Sequence, residues 1–330
     1  MEIDIEKLVE ELLSGKRKAL ARAITLIESK KKSHRELARR LLERILPYTG
    51  NSIRIGISGV PGVGKSTFIE AFGLFLVERG HKVAVLAIDP TSQLSGGSIL
   101  GDKTRMEQLS RLDEAFIRPS PSGDSIGGVA NRTRESIFLC EANGYDIVIV
   151  ETVGVGQSEI KVASMVDFFL LMQLPNAGDE LQGIKRGVME VADAIVINKA
   201  DSDNLKMAEL TKKQLENALS FFLKTDDEWK VPILLVSALE RRGIDRVWET
   251  IQNFVKIKKR SGRFYEKRKR QSVDWMWSTV MDGLKELFQS NSRVAELSKE
   301  MERAVIEMKT TPSIAAERLL EEFKKDLCGG

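Results

Sequence analysis

Residues Gly59 to Thr67 read Gly-Val-Pro-Gly-Val-Gly-Lys-Ser-Thr. An apolar alternation at Ile53, Ile55 and Ile57 comes before them, and a helical pattern from about Lys65 to Arg79, with Gly80 as its stop, comes after. A glycine-rich loop between a strand and a helix turns successive backbone N–H groups inward, and the helix N-terminus behind it adds partial positive charge. The stretch is therefore a phosphate-binding loop, with Gly59, Val60, Pro61, Gly62, Val63, Gly64, Lys65, Ser66 and Thr67 as its candidate cradle. Lys65 is expected to bridge the terminal phosphates of a nucleoside triphosphate, and the Ser66 hydroxyl to ligate Mg²⁺.

The base is read from two later strand ends. Asn198-Lys199-Ala200-Asp201 follows the apolar run that ends at Asn198, at the carboxyl edge where open parallel sheets bind ligands. It looks like the Asn-Lys-x-Asp guanine motif. Asp201 is an acceptor-only carboxylate, so it matches the N1–H and 2-amino donors of guanine and faces an acceptor nitrogen in adenine. GTP and GDP are thus the expected ligands. Ser237-Ala238-Leu239, behind the strand Val231 to Val236, resembles a loop that contacts the guanine oxygen. Read without the phosphate loop, Asn198 and Asp201 would be ordinary turn formers.

Between about Asn51 and Val255, strand patterns alternate with helical ones: Ile53 to Ser58, Lys82 to Asp89, Phe116 to Arg118, Asp146 to Glu151, Phe168 to Leu174, Ala194 to Asn198 and Ile233 to Ser237. That alternation predicts an α/β fold, a doubly wound and mainly parallel sheet. Residues 1–50 carry apolar positions at helical spacing (Leu8, Leu12, Leu20, Ile24, Ile27) and read as a helical hairpin. Residues 256–330 read as an α-helical arm, with helices around Val273 to Phe288 and Val294 to Phe323. The expected organisation is 1–50 helical extension, 51–255 GTPase domain and 256–330 helical arm.

Composition narrows the setting. No apolar run reaches the roughly 18 residues of a membrane span, and the N-terminus is acidic, without a secretory core, so the cytoplasm is expected. Cys140 and Cys328 fit no disulfide framework or metal spacing, and His34 and His81 read as solvated surface. The basic run from Lys256 to Arg270 invites a nucleic-acid reading. A net charge of only +3 and the lack of a nucleic-acid motif argue against it, leaving a solvated face. Trp275 and Trp277, two apart, cannot share one helical face, so at least one is expected to pack against another element or subunit.

Two further segments carry a resemblance: Val83 to Ser92 with Ser95 to Met106, and Glu151-Thr-Val-Gly-Val-Gly-Gln-Ser-Glu159. With the phosphate loop, the guanine motif and Trp275-Met-Trp277, they closely resemble the MeaB/ArgK/MMAA family over nearly the whole chain. That resemblance implies a P-loop GTPase of the SIMIBI class, a homodimer, and a chaperone of adenosylcobalamin-dependent methylmalonyl-CoA mutase that helps load and protect cofactor. Asp89 and Asp102 follow a strand and sit in a Gly/Ser-rich loop, as outer-shell Mg²⁺ partners or switch residues would; helix caps or solvated acids are the plainer alternatives. Glu151 ends an apolar run at the position where a carboxylate holds Mg²⁺ through water, and Gly154 is placed to donate to the γ-phosphate. Val155 fills the slot where Ras-like enzymes carry a water-orienting glutamine, so slow intrinsic hydrolysis is expected. In the loop Leu174 to Arg186, Lys185 is the family-matching candidate for a late-arriving catalytic cation. The proposed catalytic set is Lys65, Glu151 and Lys185; the proposed metal set is Ser66, Asp89, Asp102 and Glu151.

Other classes remain to be weighed. A nickel-insertion GTPase shares the fold but usually carries a His-rich stretch or paired cysteines, which this chain lacks. A small-molecule kinase would need ATP and an acceptor site. A scaffold would hold its nucleotide without turning it over. The chain has no Asp-x-His-x-x-Gly cobalamin motif, so a cofactor would reach it only through a partner.

Overall fold

The computed structural model describes residues 3–29, 31–89, 106–121, 126–152, 158–175, 186–201, 203–222 and 228–328. Seven strands form one sheet: β1 (Ile53–Gly59), β2 (Val83–Asp89), β3 (Ala115–Pro121), β4 (Ile147–Thr152), β5 (Phe168–Gln173), β6 (Ala194–Ile197) and β7 (Ile233–Leu235). Their order is β3-β2-β4-β1-β5-β6-β7, and all pairs are parallel. Strand β1 is central, with Ile57 level with Glu151 on β4 and Gly59 level with Met172 on β5. Its carboxyl end therefore opens in the middle of the sheet edge, where ligands of doubly wound folds sit.

Each strand alternates between two cores. Ile55, Ile57, Ile147, Ile149, Phe168 and Leu170 face one layer, built on α4 (Lys65–Val77), the short α5 (Glu107–Ser110) and α10 (Ile244–Arg260). Val148, Val150, Phe169 and Leu171 face the other. That second layer holds α1 (Ile5–Leu13), α2 (Arg17–Glu28), α3 (Lys32–Ile45), α6 (Ile126–Ala142), α7 (Ser158–Ala163), α8 (Arg186–Met189) and α9 (Leu205–Phe222). Near-continuous apolar strands such as Ile147 to Val150 are what a sheet covered on both faces demands.

The helical ends differ in detail from the sequence pattern. In place of a hairpin, the N-terminal extension has three helices, and Leu41 and Ile45 of the third are fully buried against the same layer as Leu8, Leu12, Leu20 and Ile24. Three helices also follow α10: α11 (Arg263–Ser290), α12 (Ser292–Ile306) and α13 (Pro312–Cys328). The basic run lies on the end of α10 and the start of α11, and it is not wholly solvated. The Arg268 side chain is only 13% exposed and grips Asp167 at 2.6 and 2.7 Å. Its guanidinium also donates to the Ser52 carbonyl at 2.6 Å, while Lys267 donates to the Asp167 carbonyl at 2.7 Å. Beside them Arg54 donates to both oxygens of Glu141, at 2.8 and 2.9 Å.

Both histidines are partly buried and partnered, contrary to a solvated reading. His81 Nδ1 lies 2.6 Å from Asp146 Oδ2 with its ring edge-on to Trp248, and His34 Nδ1 lies 2.8 Å from Ser29 Oγ. Cys140 is a buried free thiol, which burial pushes well above its ordinary pKa.

The chain divides into two compact units, Met1–Gln271 and Ser272–Gly330. In the second, α12 buries Val294 and Met301, and Phe288 meets Phe323 edge to face at 5.2 Å. Trp277 is 59% exposed and Trp275 half-buried. Among the described residues no helix is long and apolar enough to cross a membrane.

Candidate nucleotide site

The site is built where β1 hands over to α4. Gly62 and Gly64 have φ of +80° and +91°, left-handed values that only glycine adopts cheaply. At Gly64 space is a second constraint, because a Cβ there would lie 2.8 Å from Asn198 Nδ2. Gly64 is also the N-cap of α4, so the loop delivers its chain directly into a helix N-terminus.

Lys65 is buried, and its ammonium donates to the carbonyls of Gly59 at 2.8 Å and Val60 at 3.2 Å. Burial lowers its pKa from the ordinary lysine value, and the carboxylates of Glu151 and Glu159 oppose that fall. Both acids are themselves buried. The ammonium thus sits at the mouth of the loop, between backbone oxygens that a phosphate could replace. Ser66 Oγ donates to Glu151 Oε1 at 3.4 Å, which brings a hydroxyl and a carboxylate together under the first turn of α4. Both are hard oxygen donors of the kind Mg²⁺ takes, usually one or two at a time beside phosphate oxygens, so the donor set fits that ion. Among the described residues no group of three or more His, Cys, Asp or Glu side chains gathers as a metal cage. Thr152 Oγ1, one residue beyond Glu151, donates to Ser58 Oγ at 2.7 Å and ties β4 to β1 at the level of the loop.

The second half of the site stands on β6 and β7. Asn198 is buried and works in two directions: its Nδ2 donates to the Val63 carbonyl at 2.8 Å, and its Oδ1 accepts from the Ala238 N–H at 3.1 Å. One side chain thereby joins the phosphate loop, the segment 198–201 and the segment 237–239. Lys199 has φ +59°, a strained value for a side-chain-bearing residue and one often found at binding sites. Asp201 Oδ1 accepts from Ser237 Oγ. Leu239 is 81% exposed at the loop tip. Asn198, Asp201, Ser237 and Ala238, taken from the sequence as base-reading residues, are therefore brought together with the phosphate loop.

Several expected residues lie outside the described residues: Asp102, Gly154, Val155, Gln157 and Lys185. Asp89 ends β2, and its side chain also lies outside them. The sequence pattern does not single out Ser58, Thr152, Glu159 or Arg242, all of which touch or act on this site. A Thr one step beyond a strand-end acid points to Thr152, and an Arg-Arg-Gly behind the Ser237 tripeptide points to Arg242.

Residues 20–293 match the family described as Methylmalonyl Co-A mutase-associated GTPase MeaB. A putative GTPase of Caulobacter vibrioides is 52% identical over 97% of this chain and 98% of its own. The mouse protein called methylmalonic aciduria type A homolog, mitochondrial, is 44% identical over 97% of this chain and 80% of its own. Among solved structures, one titled LAO/AO transport system kinase superposes with a TM-score of 0.80 at 40% identity, covering 98% of this chain and all of that one.

Proposed function

The chain belongs to the MeaB family of methylmalonyl-CoA mutase-associated GTPases, and from that membership we propose that it is a GTP-gated chaperone of an adenosylcobalamin-dependent methylmalonyl-CoA mutase or a close acyl-CoA mutase. GTP hydrolysis is the family's chemistry. The client is the part proposed.

The observation that carries the reading is Asn198, whose two amide atoms link the phosphate loop to both loops read as guanine-binding. Occupancy of the base pocket is thereby felt at the phosphates. In the proposed mechanism the backbone N–H groups of the phosphate loop, Pro61 excepted, and the Lys65 ammonium hold the β- and γ-phosphates, and Asp201 accepts from N1–H and the 2-amino group of the base. Ser66, with Glu151 through water, would hold Mg²⁺, and Asp89 and Asp102 would complete its outer shell; the ion neutralises charge that builds up on the phosphates. Gly154 would donate to the γ-phosphate. Lys185 would approach when a partner moves its loop, supplying a second, late-arriving cation beside that of Lys65. Hydrolysis then removes the γ-phosphate contacts and changes client affinity by the difference in loop contacts. Turnover serves as timing.

The proposal includes a homodimer formed by the C-terminal arm. Val273, Trp277, Val280, Leu284 and Leu287 on α11 recur at spacings of four and three, and each is more than 40% exposed. A 4-3 apolar stripe is the seam that a partner helix covers. A cytoplasmic setting belongs to the same reading, supported by the free buried thiol of Cys140.

The test is association of the full-length chain with an adenosylcobalamin-dependent methylmalonyl-CoA mutase in the presence of GDP or a non-hydrolysable GTP analogue, with GTP turnover measured beside it. The proposal expects nucleotide-dependent association and faster turnover with mutase, the acceleration being lost in Lys185→Ala. No association in either nucleotide state, or ATP turned over as well as GTP, would overturn it in favour of a kinase-like activity.

A further inference from the structure

We infer that Arg242, outside the guanine motif, is a positioning residue that sets base specificity by holding the two base-reading loops in register. The inference rests on the reading of Asp201 and Ser237 as guanine contacts and says what aligns them.

Arg242 works through three groups. Its guanidinium donates to the carbonyl of Ala200, inside the Asn198 to Asp201 segment. Its backbone N–H donates to the Ser237 carbonyl at 3.0 Å, and its carbonyl accepts from the Ser237 N–H at 3.1 Å, closing residues 237–242 into a tight hairpin. Within that hairpin Ser237 Oγ accepts from the Glu240 N–H at 3.1 Å and donates onward to Asp201 Oδ1. The Ala200 N–H in turn donates to the Val236 carbonyl at 3.0 Å. Both polar groups of the residue just before Asp201 are therefore held from the β7 side, one by backbone and one by Arg242. The guanidinium also meets Glu240, at 3.2 Å.

Two local features fix where Arg242 stands. Gly243 has φ +78°, and a Cβ there would come within 2.6 Å of the Leu235 carbonyl, so the chain can turn under β7 only with glycine at that place. On the other side, the segment being held contains Lys199 at φ +59°, a conformation that relaxes unless its neighbours over-determine it. A charge-assisted hydrogen bond to the next carbonyl is such a constraint. Asp201 must meet N1–H and the 2-amino group at once, so a small rotation of residues 199–201 forfeits the second bond first. The adjacent Arg241 has the same charge but points elsewhere, to Gln108 Oε1 at 3.2 Å and Glu78 at 3.8 Å, and serves as an internal control.

The experiment titrates the full-length protein with GDP and with IDP, which lacks only the 2-amino group, in Mg²⁺ by calorimetry, for wild type, Arg242→Met, Arg242→Lys and Arg241→Met. The expected result is a loss of about tenfold in GDP affinity for Arg242→Met, the size of one charge-assisted bond. IDP should lose less, so that the preference for GDP over IDP shrinks by at least about threefold. Arg242→Lys, which keeps a charged donor, should recover more than half of that preference on a logarithmic scale, and Arg241→Met should leave it at the wild-type value. A mere loss of stability or of nearby positive charge lowers both affinities and leaves their ratio. An unchanged ratio in Arg242→Met, or an equal change in Arg241→Met, overturns the inference. Failure of the wild type to bind either nucleotide would instead refute the guanine reading beneath it.

Discussion

Asp201 carries the choice of base. Because an ionised carboxylate only accepts, replacing it with an amide puts a donor against guanine's 2-amino group. Asp201→Asn is therefore expected to weaken GTP by at least about tenfold and to favour xanthosine triphosphate, whose 2-oxo group accepts that donor. Competition binding with the two nucleotides reads the exchange, and unchanged GTP affinity would count against the assignment. A different residue governs pH response. Burial raises the Glu135 carboxyl from its ordinary 4.5 to about 7, with Arg132 opposing the rise. Since the folded-state value lies above the unfolded one, the folded chain binds more protons between those limits, and stability falls as pH climbs from about 4.5 to about 7. Denaturant titrations across that window should show the decline in wild type and a flatter profile in Glu135→Gln. At this scale the phosphate loop and Asn198 to Asp201 were legible, because each role requires a particular donor or acceptor at a fixed spacing. His81 was not: its partners Asp146 and Trp248 are 65 and 167 positions away, and nothing local marks them.

Elements were legible where one period dominated. Strands such as β4, β5 and β6 announced themselves as short apolar runs, as a sheet covered on both faces demands, whereas β1 showed as an alternation broken by Arg54. Helix α3 was harder to see, because Arg39, Arg40, Glu43 and Arg44 crowd the sequence around its buried Leu41 and Ile45. The start of α11 is hidden in the sequence for a related reason. A run of lysines and arginines reads as solvated, yet Arg268 reaches back to Asp167 and to carbonyls of the β1 approach, more than 100 positions earlier in the chain. Asp167 is 1% exposed in its side chain, so cutting the pair leaves a buried charge uncompensated. Arg268→Ala is expected to cost about 3–5 kcal/mol in urea unfolding. A loss below about 1 kcal/mol, the range of exposed pairs, would show the bridge to be incidental.

For the whole molecule, the proposed assembly and the proposed site make separate demands. Replacing Trp277 and Leu284 together with glutamate would put charges into the α11 stripe, and sedimentation should then report a monomer that still binds nucleotide. A dimer that survives both changes would place the interface elsewhere. The nucleotide site makes the more direct demand, since its phosphate loop, the Asn198 bridge and the Asp201–Ser237 pair all lie within the first compact unit. Calorimetric titration of the full-length chain with GDP and, separately, ADP in Mg²⁺ tests that arrangement most directly. The account predicts one GDP bound per chain and ADP weaker by at least about a hundredfold, as a site with buried base-reading groups requires. Absence of heat with GDP, or equal binding of ADP, would contradict it.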